Sequence, residues 1–498
     1  MNVNPITRLD YPDPDVIRVE DTYYMVSTTM HFMPGCEILQ SFDLVHWEHV
    51  TYVYETLDHT DAQQLKSGQN IYGQGMWAAS LRYHEGRFYI CFVANDTRKT
   101  YLYTSEKIDG PWKKQLIEGF YHDGSLLFDE DGRNYIVYGN DEIWITELNE
   151  DLTAPKKDGL HRLLVSDHKN PELGYEGSHI QKINGYYYIF LVHSLRDRWM
   201  RTEACFYSDS LEGEFTGGDV LCDDRGYCGQ GVAQGGIVDT PDGKWYAMLF
   251  QDSGAVGRIP ILLPVTWKDH FPFFGQNGHV PEEIEVHSTR PGYIYQPLVG
   301  SDDFCNGLLP RWQFNHDPDP RYYHLDALQG TYTITTREVC TELTQAVNTL
   351  TQRMSYPSCA AEVTVDASAL KEGDVAGLCA LQSCYAAVGI TKHHGKYEVL
   401  MLDKKEDGIL DMTEGTVVES HQMDFRLEAD FCNMKDEARC YYRVNKGDWL
   451  PIGTVHKLYF KLDHFTGCRF GLFCYAAEET GGSACFRDFK YYNVDEIS

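Results

Sequence analysis

The chain has 498 residues, more than one hydrophobic core usually holds, so two or three domains are expected. Charged residues make up 23% and hydrophobic residues 43%, which is typical of a globular protein. The formal net charge of −31 repels nucleic-acid phosphates and anionic lipid headgroups. We therefore expect a neutral or cationic ligand, and neither nucleic acid nor a membrane as a partner.

The fifteen cysteines are scattered along the chain, are odd in number and form no Cys-x-x-Cys pair. The first residues lack the basic and then apolar pattern of a secretory signal. No run approaches the roughly 18 apolar residues that a membrane span needs. Free thiols in a reducing compartment, and with them a cytoplasmic location, are predicted.

A short hairpin element recurs five times, beginning at residues 21, 85, 131, 184 and 242. Most copies carry Asp-Gly, Glu-Gly or Asn-Gly and then aromatic and apolar residues. Asp-Gly and Asn-Gly suit tight hairpin turns because both central residues need positive φ. The spacing of about 45 to 65 residues is typical of four-stranded propeller blades. The repeat therefore predicts a five-bladed β-propeller, with an ordinary sandwich containing five unrelated hairpins as the alternative.

One position lies eight residues before each of these turns. It is occupied in chain order by Asp13, Trp77, Asp123, Glu176 and Gln234. The strand before such a hairpin is the innermost of its blade, and equal offsets place residues at equal height. The five side chains are therefore predicted to converge at one end of the propeller axis.

Three of the five converging residues are carboxylates. Acids around one axis oppose each other's ionisation, and proteins accept this for a bound cation or for acid–base chemistry. Inverting glycoside hydrolysis needs an acid and a base roughly 6.5–9.5 Å apart, and blades one and four face each other across the axis. We predict Asp13 as the base, Glu176 as the acid, and Asp123 as the neighbour that raises the pKa of Glu176 and orients it. A calcium site is the alternative.

The segments around these acids resemble glycoside hydrolase family 43, a family of β-xylosidases and α-L-arabinofuranosidases. Residues 11–16 are similar to that family's general-base segment, residues 122–128 to its pKa-modulating segment, and residues 175–180 to its general-acid segment. Trp-Ala-Ala at 77–79 resembles the family's Trp-Ala-Pro motif. The resemblance implies the same three roles for the three carboxylates.

The resemblance also implies residues that bind the sugar. Arg258, in Gly-Arg-Ile at 257–259, is implied to hold sugar hydroxyls, and Phe32 to form an aromatic wall for the terminal sugar. Many family members have a histidine where this chain has Gln234, so a structural calcium ion at the axis stays open but is disfavoured. The substrate-binding set is Phe32, Trp77, Gln234 and Arg258, with no metal ligand and no required cofactor.

The pattern changes after residue 297, where the hairpin repeat ends in a linker. Alternating strands such as residues 360–365 follow, and they indicate a β-sandwich. Residues 303–316 resemble the start of the concanavalin-A-like domain of family β-xylosidases. The chain is thus predicted to be all-β, with a five-bladed β-propeller at 1–297 and a jelly-roll sandwich at 298–498.

In the family, a loop of the sandwich closes one side of the active-site pocket. Phe473, Tyr475 and the Gly-Gly-Ser stretch at 481–483 are the candidates in this chain. A pocket closed on one side admits only a chain end, which favours exo-action. A separate sugar-binding module is the alternative role for the second domain.

The predicted function is an exo-acting inverting hydrolase that releases xylose and/or arabinofuranose from the non-reducing ends of small oligosaccharides. A retaining fructosidase is one alternative, although it needs an Asn-Asp-Pro-Asn-type segment where this chain has Tyr-Pro-Asp-Pro. A catalytically silent carbohydrate-binding propeller is another. The choice of pentose stays open because discrimination by a few contacts is worth only about 1–3 kcal/mol. A homo-oligomer also stays open.

Overall fold

The computed structural model describes residues 2–493, in which five four-stranded antiparallel sheets precede two larger ones. The five sheets are the blades of a propeller, and each contains one of the hairpins identified in the sequence. The blade strands are Asp15–Val19, Thr22–Val26, Gly35–Ser41, Glu48–Tyr54; Ser80–His84, Arg87–Ala94, Lys99–Ser105, Lys113–Ile117; Ser125–Phe128, Asn134–Asn140, Glu142–Leu148, His161–Ser166; Glu176–Ile183, Tyr186–Ser194, Arg201–Ser208, Thr216–Leu221; Ala233–Asp239, Trp245–Asp252, Arg258–Lys268 and Phe271–Phe274. The predicted five-bladed propeller is confirmed.

The first strand of each blade contacts the first strands of its neighbours, and the ring closes between blades five and one. These five strands therefore surround the axis and all begin at the same end of it. The Asn-Gly turn behaves as its sequence requires, since Asn184 and Gly185 both have positive φ, at 51° and 85°. The connections differ in length, with two residues between the paired strands in blades one, two and four and five residues in blades three and five, yet the five inner strands still begin at the same end of the axis.

Buried apolar side chains fill the space between adjacent blades. Leu39 and Met248, for example, pack in one cluster that joins blade one to blade five. Val26 and Ile90 do the same for blades one and two. Such burial is worth roughly 25 cal/mol per Å² of apolar surface, so the clusters help to hold the ring closed.

The second domain is a sandwich of two antiparallel sheets. The strands of the first sheet are Phe32–Met33, Gln313–Asn315, Leu350–Arg353, Val375–Leu381, Tyr385–His393, Lys396–Lys404, Leu410–Met412, Thr416–Val418 and Arg469–Tyr475. Those of the second are Tyr323–Asp326, Thr331–Thr335, Ser358–Asp366, Gln422–Asp430, Glu437–Arg443, Leu450–Lys457 and Ser483–Asn493. The predicted β-sandwich is confirmed.

One strand of the first sandwich sheet comes from the propeller. Phe32–Met33 leaves blade one and pairs with Gln313–Asn315, so that Met33 lies opposite Phe314. The two domains therefore share a continuous hydrogen-bonded sheet. The boundary predicted at residue 297 stays a prediction, and this strand precedes it in the sequence but belongs to the sandwich sheet in space.

The remaining elements are short. Asn2–Val3 pairs with Glu283–Ile284, and the helical segments within residues 2–493 are single 3₁₀ turns at Lys66–Gly68, Leu343–Gln345 and Cys432–Met434. In this part of the chain no helix has the length and apolar character to cross a membrane. All fifteen cysteines are free thiols, and the cytoplasmic location stays a prediction.

Candidate active site

A cavity of about 180 Å³ opens at the end of the axis where the five inner strands begin. All five residues predicted to converge line it, and Arg258 from the third strand of blade five joins them. The other lining residues are His122, Leu173, Trp199, Arg201, Leu462 and Phe465. The common eight-residue offset therefore located the cavity correctly.

A larger cavity, of about 400 Å³, lies at the opposite end of the axis, where the same five strands end. Its basic residues Arg18, Arg82 and Lys182 are each paired with an aspartate. None of the three predicted catalytic carboxylates lines it. The three predicted catalytic acids thus lie together at the other mouth of the channel.

Both oxygens of the Asp13 carboxylate are held. Thr28 donates its hydroxyl to Oδ2 at 2.5 Å, and Arg258 Nη1 donates to Oδ1 at 2.7 Å. Asp13 is buried, and Pro12 and Pro14 restrict the backbone on either side of it. Since each carboxylate oxygen has two acceptor sites, Asp13 keeps room to accept a proton from a water molecule.

Three residues of the converging set have a left-handed backbone. The φ angles of Asp13, Asp123 and Gln234 are 53°, 48° and 61°. Such a conformation costs of order 1–3 kcal/mol for a residue other than glycine and concentrates at functional sites. The backbone therefore turns these side chains toward the axis at the expense of stability.

Arg258 belongs to a buried group of charges. Its Nε lies 3.2 Å from Asp252 Oδ1, and Asp252 also forms an ion pair with Arg201. Burial and the nearby Arg258 lower the pKa of Arg201 to about 9. Two guanidinium groups thus share one buried carboxylate, and both line the cavity where sugar hydroxyls would bind.

Glu176 lies on the inner strand of blade four, opposite blade one. Asn140 donates its side-chain amide to Glu176 Oε2 at 2.8 Å, and His122 Nε2 is 3.4 Å from the same oxygen. Asp123 lies close by, since its Oδ2 accepts the backbone N–H of Gly177 at 2.9 Å and is 3.5 Å from His122 Nε2. His122 therefore bridges the two carboxylates.

The charges of this group set the order of protonation. Burial raises the pKa of Asp123 to about 6, with help from the Glu176 and Asp13 carboxylates. Burial opposes protonation of His122, but Asp123 and Glu176 together raise its pKa to about 9. Burial also favours a neutral Glu176, yet the hydrogen bond and charge of His122 outweigh it and lower the pKa of Glu176. The direction predicted for the pKa of Glu176 was therefore wrong, because the prediction left out the charge of His122.

The donor atoms of His122, Asp123 and Glu176 all lie within 4.8 Å of one another, as in a metal site. Calcium takes six to eight oxygen ligands. This group offers carboxylates from only two residues, and its third donor is an imidazole. Calcium therefore does not fit this set of residues.

Gly177 is packed against Gln234. A Cβ at position 177 would lie 2.7 Å from Gln234 Cγ and 2.8 Å from Cδ, and the φ of Gly177 is 66°. The backbone of Gln234 is held in place by the buried Glu203, whose side chain accepts the N–H of Gln234 at 2.7 Å. Burial raises the pKa of Glu203 well above its usual range. A glycine next to Glu176 therefore lets blades four and five meet at the axis.

Gly177→Ala is expected to lower kcat/KM by at least about 10-fold and the free energy of unfolding by about 1–3 kcal/mol, because it displaces Gln234 and strains the backbone. Steady-state kinetics and urea unfolding measure the two effects. Gly185→Ala is the matched control, since Gly185 also has positive φ but has no atom within 4 Å of the added Cβ. It should lose stability alone. Equal kcat/KM in the two variants would contradict the assignment.

Phe32 does not line the cavity, so the wall that the resemblance implied for it was wrong. It is buried in the strand that joins the sandwich, and the guanidinium of Arg469 covers its ring at 3.4 Å from the centroid. Phe465 provides the aromatic surface instead. Its ring lies 3.8 Å from the Arg258 guanidinium and 5.3 Å from the ring of Trp77.

Phe465 and Leu462 belong to residues 458–468, a segment between two sandwich strands that we call the sandwich loop. This loop closes one side of the cavity, as the resemblance implied for some loop of the second domain. The candidates named from the sequence were wrong. Phe473 and Tyr475 are buried within a sandwich strand, and Gly481 is hydrogen-bonded to Thr336.

Sequence reasoning missed several residues of the site. His122 directly precedes Asp123, so its position beside a predicted catalytic acid was a usable signal. Arg201, Asn140 and Trp199 gave no such signal, because they come from strands and loops outside the repeated offset. They reach the site only through the packing of neighbouring strands.

Two family models match the chain. The model described as glycosyl hydrolases family 43 covers residues 3–272, and the model described as beta xylosidase C-terminal concanavalin A-like domain covers residues 301–492. The two matches correspond to the propeller and the sandwich.

Relatives in sequence and structure agree with these matches. A β-xylosidase of Formosa agariphila is 26% identical over 99% of this chain and 90% of its own. A bifunctional GH43-CE protein of Bacteroides eggerthii is 42% identical with a TM-score of 0.93. The match covers 100% of this chain but only 64% of that protein. A structure of an engineered GH43 glycoside hydrolase, described as having both endo-xylanase and exo-arabinofuranosidase activity, is 27% identical over 99% of both chains with a TM-score of 0.88. Since the first family model spans more than half of the chain, the protein belongs to glycosyl hydrolases family 43.

Proposed function

We propose that this family 43 enzyme is an exo-acting inverting glycosidase that releases xylose and/or arabinofuranose from the non-reducing ends of xylo- or arabino-oligosaccharides. One observation carries the proposal: Asp13, Asp123 and Glu176 line a single cavity that the sandwich loop closes on one side. Its volume of about 180 Å³ is small beside the roughly 300–1,000 Å³ of drug-sized ligand sites, which favours one sugar unit.

The proposed reaction is a single displacement. Asp13, oriented by Thr28 and Arg258, accepts a proton from water as the water oxygen bonds to the anomeric carbon. Glu176 donates a proton to the glycosidic oxygen as the bond between that oxygen and the anomeric carbon breaks. The sugar leaves with inverted configuration, and the two carboxyl groups have exchanged protonation states.

Glu176 must carry a proton before the reaction begins. In the proposed cycle His122 supplies this proton, because its Nε2 lies 3.4 Å from Glu176 Oε2 and, despite burial, its pKa is raised to about 9 by Asp123 and Glu176. We propose that a sugar entering the cavity separates His122 from Glu176, which removes the interaction that lowers the pKa of Glu176. Asp123 then favours a neutral Glu176 through charge repulsion.

Relatives support the inclusion of both pentoses as substrates. The Formosa protein is a β-xylosidase, and the engineered family 43 structure carries an arabinofuranosidase activity. Both sugars present similar hydroxyls to Arg258 and Arg201, and a similar ring face to the aromatic wall of Phe465 and Trp77. The proposal therefore includes both pentoses as substrates.

The test is a side-by-side assay on 4-nitrophenyl β-xyloside and 4-nitrophenyl α-arabinofuranoside, with NMR of the sugar first released. We expect hydrolysis of at least one substrate and, from the xyloside, α-xylose as the first anomer. Release of β-xylose would indicate a retaining reaction and contradict the assigned roles. Binding of xylose without hydrolysis of either substrate would favour a catalytically silent carbohydrate-binding protein.

A further inference from the structure

Asp10 lies between the two domains, three residues before Asp13, and is buried. Its carboxylate accepts two backbone hydrogen bonds from opposite sides. Oδ1 accepts the N–H of Arg258 at 2.8 Å, and Oδ2 accepts the N–H of Gly467 at 2.7 Å. One side chain therefore connects blade five to the sandwich loop.

Both of these N–H groups belong to segments that enter the active site. Arg258 extends its guanidinium to Asp13. Gly467 is two residues after Phe465, and the ring of Phe465 covers that same guanidinium. The contact between Arg258 and Phe465 is thus a contact between domains, and Asp10 fixes the backbone on both sides of it.

The surroundings leave the carboxylate little freedom. A Cβ at Gly257 would lie 2.1 Å from Asp10 Oδ1, and a Cβ at Gly467 would lie 2.0 Å from the carbonyl oxygen of Val256. The loop is also held by the N–H of Cys468, which donates to the carbonyl of Ala255 at 2.8 Å. At such close approach a small shift of Asp10 must move Arg258, the sandwich loop or both.

The chemistry of the position requires a carboxylate. The two backbone N–H groups approach different oxygens of Asp10, so both terminal atoms must be acceptors, which holds for a carboxylate and not for an amide. In asparagine one of the two terminal atoms is an NH₂ group, which would face a backbone N–H. One of the two segments would then lose its acceptor in a buried place, where an unsatisfied donor is costly.

We propose that Asp10 is a positioning residue, which aligns Arg258 and the Phe465-bearing sandwich loop across the domain border so that together they form the sugar-binding wall. The proposal rests on the proposed function of this cavity. It assigns a role in substrate binding to a residue that does not itself touch the substrate.

The first test compares Asp10→Asn with Asp436→Asn on the full-length enzyme. Asp436 is a matched control because its Oδ1 also accepts a backbone N–H from the other domain, that of Ala255 at 3.0 Å. Its link to the sandwich loop runs through its backbone carbonyl, which accepts the N–H of Leu458 at 2.8 Å and is kept in Asp436→Asn. We expect Asp10→Asn to lower kcat/KM about 10- to 100-fold, mainly through KM, because misplaced binding groups weaken the substrate's hold. Asp436→Asn should stay within about threefold of wild type. Equal kcat/KM in the two variants would overturn the proposal.

A double-mutant cycle with Phe465→Ala separates positioning from a general loss of stability. If Asp10 acts through the loop, the effect of Asp10→Asn on kcat/KM shrinks at least about fivefold once Phe465 is absent. Effects that multiply independently within twofold would contradict the proposed route.

Hydrogen exchange tests the same idea without any substrate, so its outcome is independent of the proposed function. Peptides covering residues 458–468 should exchange faster in Asp10→Asn than in wild type, while Asp436→Asn leaves them unchanged. If the asparagine variant does not fold, Asp10→Ser gives the same readout with a smaller side chain. Unchanged exchange in the loop of a folded Asp10 variant would overturn the proposal even if the enzyme cleaves both pentosides.

Discussion

Glu176→Gln is expected to lower kcat on xylo-oligosaccharides by about 10²–10⁴-fold, the usual contribution of a positioned general acid. Glutamine keeps the size of the side chain and can still interact with Asn140, but it has no proton to give to the glycosidic oxygen. The leaving sugar would then depart as an alkoxide. The cavity should keep its shape, so KM should change much less than kcat.

The leaving group provides the decisive measurement for Glu176. A nitrophenolate needs little protonation, so the loss should shrink as the pKa of the leaving alcohol falls across a series of aryl glycosides. Glu172→Gln is the control, because Glu172 is an exposed residue in the segment before the same strand and should leave kcat unchanged. A loss in Glu176→Gln that is the same for every leaving group would exclude the role of general acid.

Asp13→Asn is expected to produce a loss of similar size, about 10²–10⁴-fold in kcat, for a different reason. Asparagine can still accept the hydrogen bond of Thr28, but it cannot take a proton from water. Arg258 keeps its contact with Asp252, so the fold should survive the loss of one ion pair.

The base acts on water rather than on the leaving group, so the two variants should differ in one respect. For Asp13→Asn the fractional loss should be nearly constant across the aryl glycosides, and kcat against leaving-group pKa should keep the slope of wild type. Rates on the same series, with melting temperatures of both variants, give the comparison. A steeper slope for Asp13→Asn would mean that the acid and base assignments are reversed.

Local repetition made much of the fold and site predictable. The five hairpins carry their own turn chemistry, and counting from them placed Asp13, Trp77 and Gln234 at the same mouth of the channel. That reasoning depends on the period of a β-strand and on the hairpin that follows each inner strand. It works because every blade begins with an inner strand followed by a hairpin.

The features that sequence reasoning missed depend on contacts between distant segments. Phe465 reaches the cavity from a loop almost 290 residues after Glu176, and no repeat marks it. Phe32 was misplaced because its short strand leaves the blade for the sandwich. The order of protonation was misjudged because it depends on His122 Nε2 lying within 3.5 Å of two carboxylates.

The strand Phe32–Met33 has a consequence for anyone who wishes to recombine these domains. A gene fragment that ends at the linker would encode a propeller in which the strand Phe32–Met33 has lost its hydrogen-bonding partner, Gln313–Asn315. Swapping in a foreign sandwich would require a matching partner for that edge as well as a compatible loop over Arg258. A recombined enzyme would therefore need both contacts to be rebuilt across the new domain border.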